Sequence, residues 1–330
     1  KTFKKKKILI TGHTGFKGSW LTAWMNHLGA KVVGVSDYKF TNPSHFKMLN
    51  LSKKIISYNC DIRKLDKLKK IFVKHKPDFV FHLAAQSLVQ PSYAEPKKTF
   101  GTNIIGTLNV LETLREIRHS CVAIIITSDK VYKNLEIKRG YKETDILGGY
   151  DPYSASKAGA EIILKSYIKS YFKKDNKVKI GIARAGNVIG GGDWSAHRLI
   201  PDCVKSWSKN KPVELRNPKS TRPWQHVLEV VWGYILFSAK LKKLKNLHGQ
   251  VFNFGPDNKY NHNVSRVVSL MKKYWKDVKF HVAKKKKRKF YESGLLKLNS
   301  NKVKKKLKWS CILSFKKTIE LVAIWYKEYY

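Results

Sequence analysis

The sequence predicts an α/β fold in which a doubly wound parallel sheet is joined to a smaller C-terminal α/β subdomain. Two observations support this. Short apolar runs alternate with amphipathic helical patterns through the first half of the chain, and a glycine-rich turn directly follows the first run. Such alternation is typical of parallel strands covered by helices on both faces. After about residue 185 it gives way to loops rich in Gly, Pro and Asn. We therefore expect one subdomain over residues 1–185 and a second over 186–330, with some chain crossing back to the sheet.

Hydrophobic periodicity places six strands and several helices in the first subdomain. A helix follows the glycine-rich turn and ends at Gly29, because glycine is a common C-terminal helix stop. In a parallel sheet the carboxyl ends of the strands share one edge, and ligands of such folds bind there. The predicted strands are residues 8–11, 31–35, 55–58, 79–82, 122–127 and 178–183, and further predicted helices are residues 65–72, 107–117 and 155–172.

The chain is strongly basic. It has 67 Lys and Arg residues against 23 Asp and Glu residues, which gives a formal net charge of +44 at pH 7. Only 10 of the basic residues are Arg, although surfaces that read bases or clamp phosphates favour the forked guanidinium of Arg. We therefore expect solvated Lys faces and no specific nucleic-acid partner. The alternative, a basic protein that uses the same fold to bind RNA or a membrane surface, stays open.

Cysteine usage and hydropathy favour a cytoplasmic protein. The cysteines Cys60, Cys121, Cys203 and Cys311 form no C-x-x-C pair and have no His at metal-binding spacing, so we expect free thiols and no metal site. The basic run at residues 4–7 is followed by too few apolar residues for a signal peptide. Because no stretch reaches the roughly 18 apolar residues of a membrane span, we expect no membrane association.

Three glycines mark a candidate dinucleotide site. Gly12, Gly15 and Gly18 form a G-x-x-G-x-x-G pattern between the first strand and the following helix. Glycine suits this turn because the turn must be tight, must let the backbone approach a pyrophosphate and must let the helix pack near the strand. The diphosphate would then lie on the helix N-terminus, where free N–H groups favour anions. The alternative is a strand–helix turn that binds no ligand.

Residues after the next strands extend this candidate site. Asp37, just past the second strand, is placed to bind the ribose hydroxyls of adenosine, which favours NAD over NADP, although Lys39 could instead hold a 2′-phosphate. Asp61 follows the third strand and could meet the adenine amino group. Together with the three glycines, the predicted cofactor contacts are Thr14, Phe16, Asp37, Asp61, Ile62, Leu83, Ala84, Ala85, Asn103, Tyr153 and Lys157.

Tyr153 and Lys157 are four residues apart near the start of a predicted helix, so they share one face. An ammonium beside a phenol favours the phenolate. We therefore expect the pKa of Tyr153 to fall from about 10 toward the working pH. A tyrosine tuned in this way is a suitable general base for a hydroxyl group whose carbon gives up a hydride.

A hydroxyl, a carboxyl and an amine follow the fifth strand. Ser128 could hydrogen-bond to Tyr153, and Asp129 and Lys130 add an acid and a base that a simple oxidoreductase does not need. Elimination of water needs such a pair, because one group must remove a proton beside a carbonyl while another protonates the leaving hydroxyl. The alternative is an exposed polar turn.

These motifs resemble the extended short-chain dehydrogenase/reductase family, which has a Rossmann-like cofactor domain. The closest match within the family is its CDP-glucose 4,6-dehydratase branch. Relatives that act on dTDP-glucose usually have Asp-Glu where this chain has Asp129-Lys130. The likeness spans essentially the whole chain and is carried by residues 11–21 (TGHTGFKGSWL), 127–132 (TSDKVY), 184–194 (RAGNVIGGGDW), 216–227 (RNPKSTRPWQHV) and 252–256 (FNFGP).

The resemblance implies a homodimeric hydro-lyase that uses NAD to convert CDP-glucose to CDP-4-keto-6-deoxyglucose. It implies that Tyr153 takes the C4 hydroxyl proton, that Lys130 removes the C5 proton and that Asp129 protonates the C6 hydroxyl. Two alternatives stay open: a 4-epimerase, which needs no C5 base, and a dehydratase of a dTDP-, UDP- or GDP-linked sugar. The expected contacts with the nucleotide-sugar substrate are Gln86, Asn187, Arg198, Arg216 and Arg222.

Overall fold

A parallel sheet of seven strands lies at the centre of the molecule. The structure is a computed structural model that describes residues 1–173, 177–257, 261–275, 278–283 and 295–330. Its strands are β1 (Lys7–Thr11), β2 (Lys31–Ser36), β3 (Ile56–Asn59), β4 (Phe79–His82), β5 (Cys121–Ile126), β6 (Val178–Ala185), β7 (Val188–Ile189), β8 (Val213–Leu215), β9 (Thr221–Arg222), β10 (Gln225–His226), β11 (Val251–Phe254), β12 (His262–Asn263) and β13 (Phe280–Val282).

Helices cover both faces of this sheet. A π-helical turn, Gly101–Ile105, leads into α6, and a 3-10 turn, Asp129–Val131, follows β5. No helix in the described ranges combines the length and the apolar character that crossing a bilayer requires. The helices are α1 (Phe16–His27), α2 (His45–Met48), α3 (Leu65–His75), α4 (Val89–Ala94), α5 (Pro96–Phe100), α6 (Gly106–Arg115), α7 (Pro152–Ser170), α8 (Leu199–Trp207), α9 (Val227–Lys243), α10 (Val264–Met271), α11 (Asn301–Leu307) and α12 (Phe315–Tyr329).

The strand order is β11-β6-β5-β4-β1-β2-β3, and every adjacent pair in this sheet is parallel. Strand β1 lies between β2 and β4, so that Leu9 is paired with Val33 on one side and with Val80 on the other. The direction in which successive strands are added reverses at β1. In sheets of this kind a crevice opens beyond the carboxyl ends of the strands at that reversal.

Two apolar cores hold the helices on the sheet. Side chains of successive strand residues point to opposite faces. Ile8 and Ile10 accordingly pack in the core that includes residues of α1 and α9, whereas Leu9 packs in the core that includes residues of α3, α6 and α7. Strand β5 is buried along its whole length, as expected for a strand covered on both faces.

A third core holds the second part of the chain together. It joins residues of α8, β8, α10 and α12, among them Trp207, Val267 and Val322. Two later elements return to the main sheet: β11 pairs with β6, and α9 packs in the core beneath β5 and β6. The second part therefore stands over the carboxyl edge of the sheet while remaining attached to it.

The predicted doubly wound parallel sheet is confirmed, and its first six strands begin and end within two residues of the predicted positions. Helix α7 begins three residues earlier than predicted. α7 starts at Pro152 because the carboxylate of Asp151 accepts a hydrogen bond from the Ser154 N–H at 2.9 Å and caps the helix, and because proline is favourable at the first helical position. Tyr153 therefore lies in the first turn of α7.

Candidate active site

The carboxyl ends of the parallel strands open into a cleft of about 1420 Å³. This volume exceeds the roughly 300–1000 Å³ typical of sites for one drug-sized ligand, so there is room for two ligands side by side. The predicted site residues that line the cleft are Gly12, Thr14, Gly15, Phe16, Gly18, Asp37, Asp61, Ile62, Leu83, Ala84, Ala85, Gln86, Ser128, Asp129, Lys130, Tyr153, Lys157, Asn187, Arg198, Arg216 and Arg222.

The turn after β1 requires glycine at two positions for internal reasons. Gly12 has a φ of +73°, and a Cβ added there would lie 2.6 Å from the backbone nitrogen of Ala84. A Cβ at Gly18 would lie 2.0 Å from the carbonyl oxygen of Gly12, because α1 packs directly on the turn. Among the described residues, a Cβ at Gly15 would meet only that same oxygen, at an acceptable 3.4 Å. The space above Gly15 is therefore left free for a ligand that approaches the backbone closely.

Two acidic side chains stand at the ends of β2 and β3. Asp37 pairs with Lys39 at 2.7 Å, and both side chains are exposed. The carboxylate of Asp61 accepts hydrogen bonds from Arg63 Nε at 2.9 Å and Nη2 at 2.5 Å, and these bonds hold its pKa below the usual range. Arg63 was not among the predicted site residues, although it follows Asp61 by two positions. The guanidinium of Arg63 binds the carboxylate of Asp61, which was expected to contact the adenine.

The structure does not bring Asn103 to the cleft. The side chain is 1% exposed, and its amide nitrogen donates to the Gln86 carbonyl at 3.0 Å and to Ser156 Oγ at 2.8 Å. Its amide oxygen accepts from the Gln86 N–H at 2.8 Å. The Gln86 side chain donates in turn to the Leu88 carbonyl and to Thr99 Oγ1. Asn103 thus fastens the loop after β4 to α7.

A buried chain of hydrogen bonds joins the residues predicted to carry the chemistry. Ser128 Oγ donates to Asp129 Oδ1 at 3.0 Å and is also hydrogen-bonded to the phenol of Tyr153. Asn187 donates to the other carboxylate oxygen, Asp129 Oδ2, at 3.2 Å. The backbone N–H of Lys130 donates to Ser128 Oγ at 3.2 Å, which holds the turn closed. Phenol, hydroxyl and carboxylate therefore form one continuous path for a proton.

The pKa of Tyr153 is raised to about 12, so the predicted fall was wrong. Burial is the largest cause, because the charged phenolate loses its hydration. The hydrogen bond between the phenol and Ser128 lowers this pKa, and the negative charge of Asp129 raises it. The expectation rested on the spacing of Tyr153 and Lys157 along a helix. Spacing does not reveal that the whole face is buried, and the ammonium does not offset that cost.

Two amines line the same cleft, one on the buried Lys157 and one on the half-buried Lys17. Burial lowers the pKa of Lys157 to about 8, and the carboxylate of Glu161 acts against this shift. Burial also lowers the pKa of Lys17 to about 7, helped by repulsion from Lys157 and Arg198 and opposed by Asp129. Lys17 lies in the first turn of α1 and was not among the predicted site residues. The sequence showed that Lys17 lies inside the glycine pattern, but only the packing of α1 shows that its side chain lines the cleft.

The second part of the chain contributes a cationic wall to the cleft. Arg222 of β9 is 8% exposed, Arg216 lies at the surface, and Arg198 precedes α8 and approaches the carboxylate of Asp193 at 3.6 Å. Asn187 has a φ of +48°, which turns the chain between β6 and β7 toward Asp129. Forked guanidinium groups bind phosphate oxygens two at a time. This wall suits a diphosphate group.

The arrangement is suited to moving protons among neighbouring carbon and oxygen atoms of a bound ligand. Tyr153 can take and pass on a proton, Asp129 can deliver one, and Lys130 follows Asp129 on the same 3-10 turn. A polar ligand with several adjacent hydroxyl groups would satisfy such a set.

Comparison with known proteins agrees with this geometry. A family model described as GDP-mannose 4,6 dehydratase matches residues 9–322. The chain is 40% identical over 326 residues to a CDP-glucose 4,6-dehydratase of Salmonella typhimurium, covering 98% of this chain and 90% of that protein. The resemblance to extended short-chain dehydrogenases/reductases is thereby confirmed.

Solved structures share the fold. The dTDP-glucose 4,6-dehydratase of Bacillus anthracis in complex with NAD has a TM-score of 0.81 at 22% identity, covering 98% of this chain and 97% of that chain. The UDP-glucose 4-epimerase of Thermotoga maritima with UDP-glucose has a TM-score of 0.83 at 24% identity, covering 98% and 99%. From the match over almost its entire length, the chain belongs to the GDP-mannose 4,6 dehydratase family.

Proposed function

We propose that the chain is an NAD-dependent CDP-glucose 4,6-dehydratase, a hydro-lyase. The observation that carries the proposal is the buried chain Tyr153–Ser128–Asp129 with Lys130 beside it, in a cleft that also contains a glycine turn. The 40% identity to a protein of that name over 98% of the chain supports the choice of nucleotide and sugar. An epimerase would need the tyrosine but not the added acid and base.

The residues around the glycine turn fit a dinucleotide. The free space above Gly15 and the N-terminus of α1 accommodate a pyrophosphate, and Asp37 stands where the adenosine ribose would lie. Because Asp37 pairs with Lys39, that ammonium is less available for a 2′-phosphate, which favours NAD. A dinucleotide held there would supply a hydride acceptor for C4 of the sugar and a hydride donor for C6, so that no NAD would be consumed.

Tyr153 takes the proton of the C4 hydroxyl. Its raised pKa keeps the phenol protonated in the ligand-free protein, so it must pass its own proton on as it accepts the new one. The hydrogen bond to Ser128 and the bond from Ser128 to Asp129 provide that route. The proton that leaves the C4 hydroxyl thereby reaches Asp129.

Asp129 and Lys130 complete the elimination. A ketone at C4 acidifies the C5–H bond, and Lys130 in its neutral form takes that proton. Asp129 gives its proton to the C6 hydroxyl, which leaves as water. Lys130 then returns its proton to C5 as C6 becomes a methyl group. Protons balance, because the C4 hydroxyl proton ends in the water and the C5 proton goes back to C5.

The two parts of the chain are proposed to bind different ligands. We assign dinucleotide binding and catalysis to residues 1–185, and the nucleotide sugar mainly to residues 186–330, with α9 and β11 crossing back to the sheet. The proposed contacts with the sugar and the diphosphate are Gln86, Asn187, Arg198, Arg216 and Arg222.

We further propose a cytoplasmic homodimer. The cysteines are unpaired, which suits a reducing compartment. Phe100, Ile105 and Ile162 are exposed by 36%, 48% and 60%. They lie on α5, the π-helical turn and α7, which pack against one another. These exposed apolar side chains on neighbouring helices supply a surface that a second copy of the chain would cover.

Incubation with CDP-glucose and NAD is expected to form a 4-keto sugar, detected by its absorbance in strong alkali. The value of kcat/KM for CDP-glucose should exceed that for dTDP- or UDP-glucose by about tenfold or more, because the cleft must discriminate the base. Preference for either of the other nucleotides would contradict the proposed substrate.

Substitution of two residues should stop the reaction at different points. Tyr153→Phe is expected to lower kcat by about 10²- to 10⁴-fold, because no group takes the C4 hydroxyl proton. Lys130→Ala should still reduce NAD in a single turnover but release no 4-keto-6-deoxy product. Lys133→Ala, which changes an exposed lysine nearby, is the control. Full turnover by Lys130→Ala would remove Lys130 from the mechanism.

Two glycine substitutions should separate folding from cofactor binding. Gly18→Ala places a Cβ 2.0 Å from the Gly12 carbonyl oxygen and should lower the free energy of unfolding by about 1–3 kcal/mol. Gly15→Ala should cost less than about 1 kcal/mol but weaken NAD binding strongly. Denaturant unfolding and calorimetric titration measure the two effects. NAD binding of wild-type strength by Gly15→Ala would show that no dinucleotide lies over the turn.

Ile162→Lys is expected to convert the dimer to a monomer, because it places a charge in the proposed apolar contact. Light scattering after size-exclusion chromatography measures the mass in solution. Ile312→Lys serves as the matched control, since Ile312 is 84% exposed and lies outside α5, α6 and α7. A wild-type protein that is monomeric at micromolar concentration would contradict the dimer.

A further inference from the structure

A buried ion pair lies directly beneath the candidate active site. Arg184 near the end of β6 and Glu161 of α7 are both 0% exposed. Arg184 Nε donates to Glu161 Oε1 at 2.8 Å, and Arg184 Nη2 donates to Oε2. Neither residue lines the cleft or takes part in the proposed mechanism. Because burying two charges costs several kcal/mol for each ion, stability alone is a poor reason for such a pair.

The pair is attached to both ends of the catalytic segment, residues 128–131. Thr127 precedes the segment, and its Oγ1 donates to Glu161 Oε1 at 2.6 Å. Tyr132 follows the segment, and its hydroxyl accepts from Arg184 Nη1 at 2.6 Å while its ring lies 4.7 Å from the guanidinium carbon. The position of the segment relative to α7 therefore depends on the ion pair.

Glu161 also lies one helical turn from Lys157. Tyr153, Lys157 and Glu161 follow one another at a spacing of four residues, are all buried and so share one face of α7. Burial lowers the pKa of Lys157 to about 8, and the negative charge of Glu161 raises it. Without that charge, the buried amine would lose its proton at a lower pH.

The charges that reach Lys157 from other elements do not replace Glu161. When Lys17 of α1 is protonated, its charge repels the amine of Lys157 and so acts against the effect of Glu161. His82 of β4 also lies near Lys157, but burial lowers the pKa of His82 to about 3, so the ring is neutral at working pH. Arg184 is held above its usual pKa by Glu161 despite its burial, and it stays charged.

We propose that Glu161 is a positioning residue of this active site, which keeps the amine of Lys157 charged and, with Thr127 and Arg184, fixes the catalytic segment against α7. The catalytic importance of Lys157 and of the segment rests on the proposed function. The charge state of Lys157 does not depend on the proposed function, so the effect of Glu161 on Lys157 and the proposed function can be tested separately.

The first measurement is the protonation of Lys157 in the ligand-free protein. The rate at which Lys157 is acetylated by acetic anhydride is followed against pH by peptide mass spectrometry, since only the neutral amine reacts. The wild-type midpoint is expected near pH 8, which is the pKa that burial and the charge of Glu161 give to Lys157. Glu161→Gln should move the midpoint to lower pH, because a lysine that loses its anionic neighbour releases its proton sooner.

The second measurement is the pH dependence of kcat with CDP-glucose and saturating NAD. In Glu161→Gln the loss of activity on the alkaline side should begin at lower pH, which gives about tenfold less activity than wild type at pH 8 and a smaller difference at pH 6. Glu161→Asp keeps the charge and should restore most of the alkaline limb. A purely structural role would lower kcat equally at every pH.

Matched variants separate the effect of the Glu161 charge on Lys157 from the attachment of the catalytic segment to α7. Thr127→Val removes the hydroxyl and no charge, so it should lower kcat several-fold and leave the Lys157 midpoint unchanged, whereas Thr127→Ser should retain both. The double variant E161Q/R184Q removes both charges of the ion pair, so that neither charge is left buried without its partner. It therefore remains informative if Glu161→Gln fails to fold. Its Lys157 midpoint should also be lowered.

An unchanged Lys157 midpoint in both Glu161→Gln and the double variant would overturn the proposal. A wild-type kcat in Thr127→Val would show that Glu161 does not fix the catalytic segment through Thr127. Failure of the wild-type protein to turn over CDP-glucose would contradict the proposed function and leave the labelling result standing.

Discussion

The position of β1 between β2 and β4 is the constraint on which the active cleft depends. α1 packs on one face of the sheet and α3, α6 and α7 pack on the other, so the chain leaves a crevice where the strand order reverses. Only glycine at positions 12 and 18 lets the turn and α1 come close enough to form the floor of that crevice. Every other part of the site is placed relative to this floor.

Burial then determines the charge states of the groups at the crevice. The same desolvation raises the pKa of Tyr153 and lowers those of Lys157 and Lys17, because in each case the charged form loses water. The protein opposes this with hydrogen bonds and fixed charges, of which Ser128 and Glu161 are the clearest. The ligand-free site thus holds a protonated phenol and amines that titrate near neutral pH.

The third core completes the cleft from the opposite side. α12 packs against the loop after β7, where the hydroxyl of Tyr326 donates to the Asp193 carbonyl at 2.6 Å and Trp325 lies against Gly191. The short pairing of β9 with β12 places Arg222 at the rim. Segments more than a hundred residues apart therefore meet around the cleft.

The local pattern of residues along the sequence was sufficient to predict several of these features. The glycine spacing between a strand and a helix located the floor of the site, and the short run of residues 128–130 after β5 located the acid and the base. Strand β11, in contrast, was not among the strands predicted from periodicity. Its pairing with β6 joins segments about 70 residues apart, and a local pattern does not reveal such a pairing.

The sequence by itself determined the α/β class, the glycine turn and the predicted catalytic side chains that line the cleft, because each depends on residue type and near-neighbour spacing. Only the tertiary structure decided that Asn103 turns away from the cleft, that Lys17 enters it and that the Tyr153 pKa rises. These outcomes depend on how completely distant segments exclude water from each group, and burial of that kind is a property of the packed chain as a whole.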